Sequence, residues 1–428
     1  MHTKLAPEFK NTADGLAAEA ILRKCVHCGF CNATCPTYQL LGDELDGPRG
    51  RIYLMKQVLE GQAPTRKTQL HLDRCLTCRN CESTCPSGVD YGHLVDIGRK
   101  IVDAKVLRPA PERALRWALK EGLPSPLFGP AMKLGQLVRP LLPPALKAKV
   151  PAPQASGSWP SRSHPRKVLL LAGCVQPAMS PNINSATARV LDAIGVQAVV
   201  APKAGCCGAV KFHLNDQDGG KAQMRATIDA WWPYVEGTEG AQDTQGTPGV
   251  EAILMNASGC GVTVKDYGHL LADDPHYAAK AARISALTKD LSEWLPELSA
   301  QLKGRIKPTA QTMAFHPPCT LQHGQQLRGG VEQHLGALGF QLKLTACEPH
   351  LCCGSAGTYS VLNPELAYQL RDRKLGHLGQ TFGAAGTEVI VSANIGCITH
   401  LQSGTATPVR HWVELLDQAL QPDTSPSL

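Results

Sequence analysis

Residues 25–36 read CVHCGFCNATCP and residues 75–86 read CLTCRNCESTCP. Each stretch has the pattern Cys-x-x-Cys-x-x-Cys-x-x-x-Cys-Pro, first with Cys25, Cys28, Cys31 and Cys35, then with Cys75, Cys78, Cys81 and Cys85. An iron–sulfur cubane needs one thiolate per iron. Three closely spaced cysteines on a tight turn can cap one face of it, and the fourth must approach from elsewhere. Where this motif is paired, the cysteine before proline ligates the other cluster. Cys25, Cys28, Cys31 and Cys85 are therefore expected to hold one [4Fe–4S] cluster, and Cys75, Cys78, Cys81 and Cys35 the second. Zinc also accepts four thiolates, but structural zinc usually takes two Cys-x-x-Cys pairs, not a run of three plus Cys-Pro. Interleaved ligands put two clusters close together, which suits electron relay better than substrate chemistry.

The rest of the composition agrees with a metal-binding reading. The chain has 17 cysteines in 428 residues, an odd number, and its first fifteen residues carry no signal-peptide apolar region. Reduced thiols bound to metal explain that count better than a disulfide framework does. With 43% hydrophobic and 18% charged residues the chain reads as globular, and 5% aromatics argue against a base-stacking surface. No apolar run approaches the ~20 residues of a membrane span, and the longest, such as 168–172, are strand-sized. Residues 50–61 show helical apolar spacing at Ile52, Met55, Val58 and Leu59, a core pattern. Residues 1–105 are thus expected to form a mostly helical, ferredoxin-like domain with two clusters.

Residues 106–165 are Pro-rich and basic. Residues 1–167 hold 25 Lys and Arg against 14 Asp and Glu, a net of +11, and 101–167 alone has 12 against 3. This connector is not expected to form a long helix or a central strand. It interleaves Leu, Met, Phe and Val with Lys133, Arg139, Lys147 and Lys149. Two readings stay open: a segment lying on an anionic membrane surface, or a linker packed on its own domains or on a partner. Nucleic-acid binding is not expected, because the charge lacks interleaved aromatics.

From Lys167 onward short apolar strands (KVLLLAG, QAVVA, EAILMN) alternate with helical segments, including 182–195 and 220–235. This half repeats itself. VLDAIGVQAVVAPKAGCCGAV aligns with HLGALGFQLKLTACEPHLCCGSAG, EAILMNASGC with EVIVSANIGC, and DLSEWL with HWVELL. The chain is therefore expected to be an α+β multidomain protein. It would comprise 1–105 (two clusters), 106–165 (connector), two α/β cysteine-rich domains at 166–300 and 301–420, and a tail at 421–428.

Each repeat has a cysteine after its first strand, a Cys-Cys-Gly and a later cysteine: Cys174, Cys206, Cys207 and Cys260, then Cys319, Cys352, Cys353 and Cys397. Adjacent cysteines point apart in an extended chain, so both can serve one site only at a sharp turn. Gly208 and Gly354 permit such a turn. A metal or cluster site in each repeat, cluster or zinc, is the expectation, with a vicinal disulfide as the competing reading. His213, His316, His323 and His350 lie near these cysteines as ligand or proton-carrier candidates, each more readily explained as a surface or packing residue. The Trp231-Trp232 pair reads as core. No G-x-G-x-x-G after a strand and no phosphate loop is found, so no nucleotide or flavin site is expected on this chain.

The Cys-Cys-Gly pattern resembles the cysteine-rich CCG domains of heterodisulfide reductase and related electron-transfer subunits. That family continues to a Cys-x-x-Cys, giving five thiolates. Here Ala257 and Asn394 stand at those positions, leaving four cysteines per repeat, with Cys347 the one left over for the second site. Over about residues 4–420 the chain resembles the iron–sulfur subunits of bacterial glycolate oxidase (glycolate dehydrogenase). The carrying segments are ILRKCVHCGFCNATCPTYQLLGDELDGPRGRIYLMKQVLEG, HLDRCLTCRNCESTCPSGV, AGCCGAV, DAWWP, ASGCG, HLCCGSAGTYS and ANIGC.

The resemblance implies flavoprotein partner subunits that carry FAD or FMN and oxidise glycolate to glyoxylate, with D-lactate as a further substrate. It also implies electrons leaving for a membrane quinone, a cytoplasmic location peripheral to the inner membrane, and no catalytic residue on this chain. Related architectures serve anaerobic glycerol-3-phosphate and lactate dehydrogenases, and a heterodisulfide-reductase-type catalytic subunit is the alternative of a different class.

Overall fold

The computed structural model describes residues 1–143, 147, 150–237, 249–308, 311–382 and 388–421. Lys149 and the expected tail beyond Gln421 lie outside the described residues.

The N-terminal region is helical. Helices Ala13–Lys24, Pro48–Leu59, Arg66–Asp73 and Tyr91–Lys105 surround the two cysteine loops. Their starts are legible in local chemistry. The Thr12 hydroxyl accepts from the Gly15 N–H at 3.1 Å, Pro48 opens its helix at a position where proline costs nothing, and Thr65 and Thr68 form a capping box. Ile52, Met55, Val58 and Leu59 meet Leu22, Leu94 and Val95 in one core beneath the cysteines.

The connector carries helices Ala110–Gly122 and Phe128–Leu137 and, among its described residues, none longer than 13 residues. It straps the two halves together by charge. Arg108 and Arg116 grip Asp73, while Lys120 meets Asp216 at 3.0 Å and Glu121 meets Lys211 at 2.8 Å.

The second half holds two four-stranded parallel sheets. Strands β1 (Arg166–Leu170), β2 (Val196–Val199), β3 (Ile253–Met255) and β4 (Thr288–Asp290) lie in the order β2-β1-β3-β4. Strands β5 (Thr312–Phe315), β6 (Gln341–Leu344), β7 (Glu388–Ser392) and β8 (Val409–His411) repeat that order as β6-β5-β7-β8. Parallel pairing demands crossovers, and helices such as Asn182–Asp192 and Gln217–Val235 supply them. The helix expected over 182–195 ends at Asp192, before Gly195 turns left-handed at φ 74°. The one expected over 220–235 starts at Gln217, because the Asp216 carboxylate caps the Gly219 N–H at 3.0 Å.

After β4 and β8 the chain turns into a helix with the same device. Asp290 with Glu293, and His411 with Glu414, each form a capping box. The repeats share one core, and helix Asn182–Asp192 packs on helix Trp412–Ala419, where Arg189 grips Asp417 at 2.7 and 2.9 Å. Among the described residues, no helix is long and apolar enough to cross a membrane.

Candidate functional site

The two N-terminal motifs fold alike. After Cys25 and Cys75 the chain passes through left-handed residues, His27 and Gly29 in the first motif and Thr77 and Arg79 in the second. These wrap the three-cysteine turn, and a short helix follows each time. Pro36 sits at the first turn of helix Pro36–Leu41, which leaves Cys35 at its N-cap and turned inward. The loops meet back to back at Thr34 and Thr84, whose hydroxyls lie 3.0 Å apart.

Cys25, Cys28, Cys31 and Cys85 line one cavity, and Cys35, Cys75, Cys78 and Cys81 line another. Cys81 touches both, so the two share a wall. Burial, with Cys25 beside it, pushes the Cys31 thiol up to about 11. Burial raises Cys78 and Cys81 as well, with Cys319 adding to the first and Cys78 to the second. Thiols packed this tightly cannot all ionise unless a cation sits among them, so the donor set fits a metal group.

Two residues that sequence reasoning missed serve the second cavity. Arg51, fully buried, directs a guanidinium N–H at Cys35 Sγ (3.9 Å), and the Tyr91 hydroxyl donates to Cys75 Sγ (3.7 Å). Arg51 stays charged inside the protein because Asp46, itself bonded to His71 and Arg74, lies beside it. The signal was an arginine on the apolar helical face of Met55 and Val58, at i, i+4 and i+7.

In the first repeat the thiols form a chain, Cys174 to Cys206, Cys206 to Cys207 and Cys207 to Cys260. Cys206, accepting from Cys174 and Cys207, is held well below the ordinary thiol range. In the second repeat Cys319 and Cys352 Sγ lie 3.8 Å apart, while Cys353, Cys397 and a nitrogen of His316 lie within 4.8 Å of one another. Gly208 and Gly354 make the turns, at φ 88° and 89°. A Cβ there would come within 2.7 Å of the Gly220 carbonyl oxygen or 2.4 Å of the Ala367 carbonyl oxygen.

The remaining candidates are elsewhere. Cys347 is exposed. His213 faces Asp96 at 3.5 Å. His323 bridges Ser83 and the His350 carbonyl at 2.9 Å each, and burial lowers its pKa to about 4. Trp231 is core, whereas Trp232 is half-buried under Lys280. Burial drives the pKa of His316 far down and that of Lys374, near Cys353 and Cys352, to about 8.

The second repeat presses on the second N-terminal cavity. Leu76 and Cys78 pack with Cys319, Leu351, Cys352, Tyr359 and Leu370 in one apolar cluster, and the Tyr359 hydroxyl donates to the Arg74 carbonyl at 3.1 Å. The first repeat meets the same domain through charge, with Asp266 held by His93 at 2.9 Å and Arg79 at 3.4 Å.

This arrangement has relatives. Residues 21–89 match the 4Fe-4S dicluster domain model, and residues 168–265 and 313–402 each match the Cysteine-rich domain model. The chain is 54% identical over 98% of its length to the glycolate oxidase iron-sulfur subunit of Escherichia coli (strain K12), all of which is covered. It belongs to the glycolate oxidase iron–sulfur subunit family. A probable glycolate oxidase iron-sulfur subunit of Bacillus subtilis (strain 168) is 31% identical, covering 93% of this chain and 91% of that one. Lactate utilization protein A of Exiguobacterium sp. (strain ATCC BAA-1283 / AT1b) is 23% identical, with 59% of this chain matching 98% of it. Iron–sulfur binding is thus a family property of this chain, as are its helical dicluster region and its two α/β cysteine-rich domains.

Proposed function

We propose that this chain is the electron-carrying subunit of a glycolate-oxidising complex, taking single electrons from a flavin on partner subunits and delivering them toward a membrane quinone. The observation that carries this reading is the apolar contact of Cys78 with Cys319 and Cys352, which abuts an N-terminal cysteine set against that of the second repeat. Cys25, Cys28, Cys31 and Cys85 would hold one [4Fe–4S] cluster, and Cys75, Cys78, Cys81 and Cys35 a second. Cys174, Cys206, Cys207 and Cys260 would hold a metal group in the first repeat, and Cys319, Cys352, Cys353 and Cys397 an iron–sulfur group in the second. Bound clusters of this kind accept and give up one electron at a time, so a flavin must split the hydride pair upstream.

The chain's own residues shape that role. Arg51 and Tyr91 place donors against Cys35 and Cys75, which favours the reduced, more negative state. Leu76, Leu351 and Leu370 exclude water from the contact between the two cysteine sets. A cleft of about 460 Å³ opens between the Thr34 and Thr84 loops and the second repeat. Apolar Leu321 and Val331 line it with His323 and His350, a lining suited to a quinone head group.

Leu127, Leu134, Leu137 and Leu141 of the connector are exposed beside Lys133 and Arg139, which favours a peripheral seat on an anionic, cytoplasmic membrane face. Flotation with anionic liposomes tests that seat, and equal binding by a connector-deleted chain would remove it.

The donor is tested on the reconstituted complex with glycolate, D-lactate, L-lactate and glycerol 3-phosphate. Glycolate-driven quinone reduction exceeding the others, with D-lactate second, is the expected result. Preference for glycerol 3-phosphate would move the chain to the related dehydrogenase, and heterodisulfide reduction by the isolated chain would make it catalytic.

A further inference from the structure

His316 stands three residues before Cys319, as Leu171 stands three before Cys174. The structural equivalence is direct: the His316 N–H donates to the Val391 carbonyl (2.8 Å) at the end of β5, and the Leu171 N–H to the Leu254 carbonyl (3.4 Å) at the end of β1. Leu171 is buried in the apolar layer that also holds Cys206 and Cys207. His316 is 1% exposed, and neither ring nitrogen has a hydrogen-bond partner among the described residues. Leaving such a group unpaired is costly, because its hydration is lost and no hydrogen bond replaces it. Its ring lies with Cys353 and Cys397, all three buried and with donor atoms within 4.8 Å of one another. A metal among them satisfies the imidazole and neutralises the thiolates at once.

We propose that His316 is a nitrogen ligand of the metal group in the second repeat, joining Cys353 and Cys397, with Cys319 and Cys352, in a mixed histidine–cysteine site that the first repeat, with Leu171, does not have. The inference rests on the reading above that the second repeat holds a metal group. Asn394, where related domains carry a further cysteine, donates its side-chain amide to Cys397 Sγ (3.7 Å) and supplies no thiolate. His316 brings the donors to five without adding a negative charge. One thiolate fewer favours the reduced state, so the imidazole raises the potential of the second site, as histidine ligation does in other iron–sulfur centres. A site placed against Cys78 and raised in potential is a downhill acceptor.

The test uses anaerobically purified full-length protein, as wild type, His316→Ala, His316→Cys and Leu171→Ala. Pulsed EPR in the paramagnetic redox state, with 15N-histidine labelling, reads a directly bound imidazole nitrogen; zinc-edge X-ray absorption reads it if the metal is zinc. Wild type should show one strongly coupled histidine nitrogen that is lost in both His316 variants and kept in Leu171→Ala. His316→Cys should retain the metal and lower the midpoint potential of that site. His316→Ala should lose the second-repeat metal while the two N-terminal cluster signals persist, which reports an intact fold. Metal in the second repeat without a histidine nitrogen, or a nitrogen signal unchanged in His316→Ala, overturns the proposal and spares the relay reading. Absence of any metal beyond the N-terminal clusters overturns both, and a histidine nitrogen on zinc supports His316 ligation while removing an iron–sulfur group from that site.

Discussion

The two cysteine-rich repeats share a strand order, a Cys-Cys-Gly turn and a capping box, yet they meet the N-terminal domain in opposite ways. The second presents an apolar seam, with Leu351, Cys352, Tyr359 and Leu370 closing on Leu76, and all four of its paired cysteines are buried. The first presents a charged seam at Asp266, and its outer cysteines, Cys174 and Cys260, are only half-buried. An apolar seam keeps a fixed, dry distance between two metal sites, while a charged one is screened by salt and titrates. Duplication thus supplied two similar pockets, and on the proposed reading the surfaces around them decide which lies on the electron path.

The sharpest way to break this comparison is to remove one thiol from each repeat. Cys352→Ser should abolish quinone reduction by the reconstituted complex, whereas Cys206→Ser, which empties the first repeat, should leave most of it; steady-state turnover with parallel metal analysis reads both. Equal losses would place both repeats on the path.

The glycine turns come next. Gly354→Ala forces a left-handed alanine against the Ala367 carbonyl oxygen, a cost of about 2 kcal/mol or more. Gly357, also left-handed at φ 62° but with open space around it, should cost only about 1 kcal/mol as Gly357→Ala. Chemical denaturation compares the two, and the larger loss should bring loss of the second-repeat metal.

Tyrosine hydroxyls separate contacts between domains from those within a domain. Tyr359→Phe leaves the Arg74 carbonyl unpaired at the apolar seam, and Tyr267→Phe leaves the Cys207 carbonyl unpaired inside the first repeat. Each should cost about 1 kcal/mol, but hydrogen exchange at 70–78 should rise only in Tyr359→Phe.

The smallest effect is pH. Burial alone would lower the pKa of His93, but the Asp266 carboxylate raises it above its ordinary value; Asp266 is in turn held low by His93 and Arg79 against the effect of its burial. The charged seam is therefore firm between the ordinary carboxylate value, about pH 4, and about pH 6.5. It loses the His93 contribution as pH rises through the raised His93 value, and the Asp266 contribution in acid. Protection factors, taken after dividing out the intrinsic rise of amide exchange with pH, should fall around 258–270 on going from about pH 6 to about pH 9, with those of 351–370 unchanged.

Much of this was legible in the sequence because cluster chemistry fixes spacing. Two Cys-x-x-Cys-x-x-Cys-x-x-x-Cys-Pro runs and a duplicated Cys-Cys-Gly leave few alternatives, and the periodic apolar residues of 50–61 put a helix beneath them. Less legible were features that depend on three-dimensional proximity between distant segments. Arg51 looked like one more basic residue until Asp46, His71 and Cys35 surrounded it. His316 was one of four histidines near the cysteines, and only the fold separates it from His213, His323 and His350. The contact of Leu76 and Cys78 with Cys352 joins residues more than 270 positions apart, beyond any local pattern. The three-residue strands β4 and β8 were too short to show a period; the sequence showed only that DLSEWL and HWVELL, which begin at their last residues, repeat.

The most direct test of the central claim is iron, sulfide and zinc per chain on anaerobically purified protein, with EPR after dithionite reduction, for wild type and Cys352→Ser. The account predicts about twelve irons or more in wild type at four per cubane, and a further reduced signal, coupled to the N-terminal clusters, that vanishes in Cys352→Ser. About eight irons with zinc in both repeats, and identical spectra for the two proteins, would contradict it.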